Sequence, residues 1–529
     1  MNKINSTRAT LSMAGGLAIG LAIAASADAG AAGGPFASTT LTGIFRPFVD
    51  DSGLVQSAPS TQPAFSTAGG SIVPVGAPLD GTNVFFSAAF GTNGQACATC
   101  HQAGQGFTVS PEVIRDKFAD SAGTDALFRF NSTANNPHVS AATADNYSLI
   151  LNLGVMRIAK TFAPGSNFTA VAADPATIDR FAAPDVFPLT TDPQQPTGAK
   201  TLSLFRRPLV NTNVRLDSSV LWDGRASIGN MRGQVLGAAR TLLLAPNPSN
   251  ADADQVAAFM LGVFTDQVFD TAAGTDADDN CTFASPGQQC GAGLTRANGA
   301  TGGVQGLLAL ALGINAPCTS FLQGPCVPNV PGYDLFDAWA NLPNEKGTNA
   351  ARASVARGQA IFNTAVLHMP ADLQPQLGTE GHCTTCHATR NIGNNPDSTF
   401  FARVGTDSVQ IVNDLVNSGH PELTPLLERV RMLPQYCLRP VSDVTPGACG
   451  THATDVVTTD PGRAMVSGNL EDVGKFKPPV LRGLTVRSPY FHAGVAEGIP
   501  ALVQFYNARF SIGLTPQQVV DLTSFLEAQ

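Results

Sequence analysis

Apolar residues at helical spacing mark the C-terminal third of the chain. From Asn349 to Phe362, Val355, Gly358 and Phe362 fall on one face, which predicts an amphipathic helix. Near the C-terminus, Thr515 stands as N-cap, Pro516 at the first helical position and Gln518 as the reciprocal capping residue. Val519, Leu522, Phe525 and Leu526 then form that helix's buried stripe. A further helix is expected to open at Pro500 and turn Leu502, Phe505 and Tyr506 inward. Strand-period alternation is confined to short pieces, so the expected fold class is mainly α. Residues 30–80, rich in Ser, Thr, Gly and Pro, read as an extended arm. Residues 226–345, with a Gly-rich acidic tract at 271–305, read as a loop-rich insertion.

Composition narrows the function classes. Only 13% of the 529 residues are charged, while Gly and Pro number 52 and 37, which suits a compact, loop-rich protein. A formal charge of −9 without a basic run gives no reason to expect nucleic acid as a partner. Lys3 and Arg8 precede an apolar stretch over 9–25, and Ala27-Asp28-Ala29 offers small residues at a cleavage position. Residues 1–29 therefore read as a signal peptide, with a short membrane anchor as the alternative. The expected location is the periplasm, with no membrane association after cleavage, because no later stretch is long enough to span a bilayer.

The ten cysteines fit an oxidising compartment. Four fall in two CxxCH motifs, Cys97-Ala98-Thr99-Cys100-His101 and Cys383-Thr384-Thr385-Cys386-His387. In such a motif the two thiols add to haem vinyl groups as thioethers, and the adjoining His becomes the proximal iron ligand. The chain is accordingly expected to hold two covalently bound c-type haems, with His101 and His387 on the irons. The wide spacing of the motifs suggests tandem cytochrome c-like haem domains over 30–345 and 346–529. The six remaining cysteines are expected to pair with their neighbours, 281–290, 318–326 and 437–449, two of these pairs stapling the insertion. Other connectivities and free buried thiols stay open.

Beyond the motifs, four segments resemble the bacterial dihaem cytochrome c peroxidases, the broad family that includes the MauG enzymes. They are the first CxxCH with Gly106-Phe107, the segment Leu221-Trp222-Asp223-Gly224-Arg225, the segment Thr459-Asp460-Pro461-Gly462-Arg463 with Gly474-Lys475-Phe476-Lys477-Pro478-Pro479, and Ser488-Pro489-Tyr490-Phe491-His492-Ala493-Gly494. The resemblance implies an oxidoreductase in which the N-terminal haem meets hydrogen peroxide and the C-terminal haem relays electrons from a small periplasmic cytochrome or copper protein. It makes Trp222 a relay residue between the haems, Arg225 a partner of a haem propionate, Gln234 a distal-pocket residue and His492 a residue at the haem edge. It also makes a homodimer, and calcium between the domains, family options.

The resemblance also exposes two departures. Tyr506 stands where the peroxidases place a methionine ligand, as in MauG-like members; a hard phenolate would favour ferric and higher states. Met432 and Met465 are alternative ligands for that haem, and His138 is a candidate for the other. Residues 226–251 contain no Asp or Glu where a peroxidase keeps its distal acid, and Leu242-Leu243-Leu244 occupies that stretch; Asp252 and Asp254 lie just beyond. Three functions remain: a peroxidase, a MauG-like or oxygenase-like enzyme acting on a protein or organic substrate, and a pure electron-transfer cytochrome.

Overall fold

A computed structural model of the chain describes most of residues 82–171, 201–261 and 333–528, and the backbone alone of a few short strands elsewhere. The signal segment expected at 1–29, His138 and the cysteine pairs 281–290 and 318–326 lie outside the described residues. The described residues all lie in one compact unit. Among the described residues no helix is long and apolar enough to cross a membrane.

Helices carry most of the fold. The first CxxCH forms the one-turn helix α1 (Cys97–Cys100), and after the Trp222 segment come α2 (Met231–Thr241) and α3 (Asn250–Gly262). The later set is α4 (Thr348–Thr364), the second CxxCH turn α5 (Cys383–Cys386), α6 (Ile499–Arg509) and α7 (Pro516–Glu527). The caps read from sequence are present in α7: the Thr515 side chain accepts from Gln518 N–H, and Gln518 answers to the Thr515 N–H. Helices α4 and α7 pack so closely that a Cβ on Gly358 would lie 1.9 Å from the Asp521 carbonyl oxygen. Ser354 and Arg357 hold the buried Asp521 carboxylate across that contact at 2.7 and 2.9 Å.

Two expectations need correction. Residues 226–262 are not the start of a loop-rich insertion but the helices α2 and α3, with Met231, Val235 and Ala239 giving α2 a buried stripe. The fold also holds more sheet than the alternation suggested. Strand β1 (Met156–Thr161) pairs antiparallel with β3 (Lys200–Arg206), and β2 (Phe168–Val171) pairs with β4 (Tyr436–Pro440), which pairs with β5 (Val456–Thr458). Residues 202–206 and 436–439 are buried without interruption, so no exposed face marks them as strands.

The described core divides into two units built on one plan. In the first, Phe85 lies 6.4 Å from the His101 ring at 53°; in the second, Phe362 lies 6.3 Å from the His387 ring, also at 53°. Phe259 on α3 and Phe525 on α7 pack against these phenylalanines in turn. Between motif and helices each unit carries the same loop, closed by the bridge Val220–Ala226 in one and Tyr490–Ala496 in the other. Leu221 and Phe491 both take positive φ, 70° and 67°, and Gly224 and Gly494 take 62° and 67°. Trp222 and His492 therefore stand at one position of a repeated loop, as do Arg207 and Lys477 before it and Leu236 and Tyr506 after it.

Candidate functional site

Both CxxCH turns are braced identically. Thr99 and Thr385 each accept, through the hydroxyl, the N–H of the residue before the first cysteine, at 2.9 Å. His101 Nδ1 lies 3.0 Å from the Phe107 carbonyl oxygen, and His387 Nδ1 lies 2.6 Å from that of Gly393. A ring whose Nδ1–H donates to a carbonyl presents its Nε2 as the metal-binding atom. Burial pushes His387 down to about 4 and lowers His101, so both are neutral imidazoles, the form that binds a metal. Burial also pushes all four motif thiols up to about 12.

Beside the second motif lies a cavity of about 1580 Å³, mouth included, with an almost wholly apolar wall. Cys383, Cys386 and His387 line it together with Tyr506, and it extends to Trp222 and His492. Its residues fit a covalently attached haem: two thiols and a neutral imidazole face apolar space, and the buried His492 Nε2, without a hydrogen-bond partner, offers itself to a polar substituent such as a propionate. The Tyr506 ring is fixed by stacking between Phe491 and Phe510, centroids 5.9 and 5.6 Å away. Burial holds its phenol well above the ordinary range, so it is neutral until a cation displaces the proton.

The two repeated loops meet across a seam. The Trp222 and His492 rings meet edge to face with centroids 6.4 Å apart, and Phe476 stacks on His492 at 3.9 Å. Arg207 N–H donates to the His492 carbonyl at 2.6 Å, and reciprocally Lys477 N–H donates to the Trp222 carbonyl at 2.9 Å. The Trp222 indole N–H donates to the Arg207 carbonyl at 2.9 Å. Beneath them, buried Arg206 holds Asp460 through Nε and Nη2 at 2.6 and 2.8 Å and Asp223 through Nη1 at 2.7 Å. Arg463 Nη1 donates to the Asp223 carbonyl at 2.9 Å, joining the two acidic loop segments picked out in the sequence. Arg206 is the shared cation that lets both carboxylates be buried.

The remaining sequence-derived residues divide. Arg225 pairs through Nη1 with Asp223 at 2.6 Å. Gln234 sits half-buried on α2. Met432 and Met465 do not line the cavity; Met465 is packed with Leu202, Leu204 and Tyr436. The methionine that does line it is Met369, which sequence reasoning passed over because it precedes the CxxCH rather than following it. Asp254 is tied to Arg232 at 2.6 Å. The 437–449 disulfide is present. Among the described residues the acidic, Cys and His groups near enough to share an ion are Cys437, Cys449 and Asp455, and these are engaged by the disulfide and by Arg439. Arg207 and Lys477 were also missed, although Arg207-Pro208-Leu209-Val210 and Lys477-Pro478-Pro479-Val480 carry the repeat in plain view.

No protein-family model matches the chain. The chain is similar to cytochrome-c peroxidase IdrP1 of Denitromonas iodatirespirans, with 29% identity over 210 residues, 36% of this chain and 43% of that protein. The match thus spans less than half of that relative's length.

Proposed function

We propose that the protein is an exported dihaem c-type oxidoreductase that reduces hydrogen peroxide to water with electrons passed between its two haems. The observation that carries the proposal is the Trp222–His492 contact, which joins two like-built CxxCH units at equivalent positions. Haem, when bound, supplies the electron and peroxide chemistry. His101 and His387 would hold the irons, Cys97, Cys100, Cys383 and Cys386 the porphyrin edges, and Tyr506 would face the second iron from α6. Trp222 and His492 would carry electrons across the seam, held in register by the reciprocal main-chain bonds of Arg207 and Lys477. At the position of Tyr506 the first unit has Leu236, which cannot ligate, so its iron would keep an open side for peroxide. The expected donor is a small periplasmic redox protein.

A second reading has its own support. Leu236 is packed in an apolar cluster with Phe107, Val235 and Phe259, α2 itself carries no acidic residue to shuttle the peroxide proton, and Asp254 on α3 is engaged by Arg232. That favours a MauG-like or oxygenase-like enzyme acting on a protein or organic substrate. The test is direct. The purified protein is assayed for two haems by mass and by pyridine haemochrome, then mixed with peroxide and a reduced small cytochrome. Rapid multiple turnover supports the peroxidase; a long-lived oxidised state without turnover supports the second reading. Two haems inert to peroxide in every redox state would remove both and leave electron transfer alone.

A further inference from the structure

The guanidinium of Arg207 lies in the seam between the two units, 4% exposed, and every one of its hydrogen bonds goes to a main-chain carbonyl. Nη1 donates to Val109 O at 2.7 Å and Gly154 O at 2.8 Å; Nη2 donates to Ser488 O at 3.3 Å and Arg487 O at 3.4 Å. Two of these carbonyls belong to the first CxxCH half of the chain and two to the second. Among the described residues no carboxylate pairs with Arg207. The equivalent cation, Lys477, instead meets Asp217 at 2.8 Å. A carbonyl cage around a lone buried cation is an arrangement that proteins also use for metal ions.

The space is shaped for the side chain. A Cβ on Gly154 would lie 2.0 Å from Arg207 Nη1, and one on Gly494 would lie 3.2 Å from Arg207 Cδ, so two left-handed glycines leave the guanidinium its room. Burial pulls Arg207 down to about 9, with Arg429 nearby adding to the repulsion, and the group is still charged at neutral pH. A second cation in the same cage would meet that charge in a poorly solvated place.

We propose that Arg207 is the resident cation of this cage, that it excludes a divalent ion from the seam, and that removing its side chain exposes a calcium-binding site. The resemblance to the dihaem peroxidases makes calcium between the domains an option; the residues at this seam do not fit it, because the carbonyls are already engaged. With Arg207 shortened, four carbonyls and water would offer calcium a ligand set without a carboxylate, and so a weak site, with Kd of about a millimolar.

The proposal stands apart from the reaction assigned above and is tested without activity. The wild-type holoprotein is analysed for metal content and melted with a chelator, with 10 mM CaCl2 and with NaCl of equal ionic strength. No bound calcium and a melting temperature unmoved by chelator or calcium are expected. In R207A the melting temperature should fall in NaCl and rise again by about 1–3 °C in 10 mM CaCl2. One calcium per wild-type chain whose removal lowers the melting temperature would overturn the proposal, as would an R207A holoprotein no more responsive to calcium than the wild type. If R207A yields no holoprotein, R207M keeps the apolar stem while removing the charge and is judged by the same calcium response.

Discussion

Trp222 and His492 occupy the same position in two copies of one loop and touch edge to face, with ring centroids 6.4 Å apart. Each loop is locked to the other by a main-chain bond from the residue equivalent to its partner's anchor, Arg207 to His492 and Lys477 to Trp222. The pair is therefore not an incidental contact of two core rings. It is the point at which the two units are registered.

Replacing Trp222 with Phe keeps an aromatic ring but removes the indole N–H that donates to Arg207 O. If electrons cross here, W222F should retain both haems and lose about tenfold or more in peroxide turnover, equivalent to about 1.4 kcal/mol or more in barrier. Haem content and steady-state turnover check this; unchanged turnover at full haem content would remove Trp222 from the path.

Tyr506 and Met369 both line the cavity beside the Cys383–His387 motif, and each could offer a ligand to an iron held there. Y506F should change the absorption and electron paramagnetic resonance of the haem at Cys383–His387 while leaving the other haem as it was. M369L should leave both spectra unaltered. The reverse pattern would make the ligand a thioether, and the potential of that haem would then be higher.

Leu236 is the first unit's counterpart of Tyr506. L236Y should supply a phenol to the first haem, fill its open side and abolish its reaction with peroxide, read as a high-spin to low-spin change in that haem alone. A haem still high-spin and still reactive in L236Y would show that α2 does not present this position to the iron.

Acid should spare the seam until well below pH 4. Burial opposes ionisation of Asp223, yet Arg206 and Arg225 beside it hold its carboxyl well below the usual 3.8, and Arg403 and Thr458 do the same for buried Asp407. A carboxylate with a depressed folded pKa adds stability that is present above the unfolded value and lost as pH falls through the folded one. D223N should therefore cost about 3 kcal/mol at pH 7, since it leaves part of the Arg206 charge unanswered. The gap to wild type should narrow only as pH drops below about 3.8. Chemical denaturation at several pH values measures it; a gap that is constant from pH 7 to 3 would show that Asp223 is not held ionised.

Local signals were strong enough to be read directly where the physics is local. The CxxCH spacing fixes two thiols and an imidazole on one turn whatever surrounds them, and the Thr515, Pro516 and Gln518 caps fix the start of α7. The Tyr506 helix was also legible, because Pro500 sets its first turn and the apolar spacing sets its inner face. What sequence alone left undecided depends on residues far apart in the chain. Residues 202–206 of β3 and 436–439 of β4 are buried on both faces, so no exposed face marks them as strands. Arg225 meets the Asp223 carboxylate two residues away, which Arg206 also holds, and Arg206 in turn binds Asp460 from a segment far along the chain. Only the tertiary structure brings Trp222 against His492, Met369 into the cavity wall and Arg207 into four carbonyls from separate segments, because burial and long-range hydrogen bonding, unlike capping and thioether spacing, leave no mark within a short window of sequence.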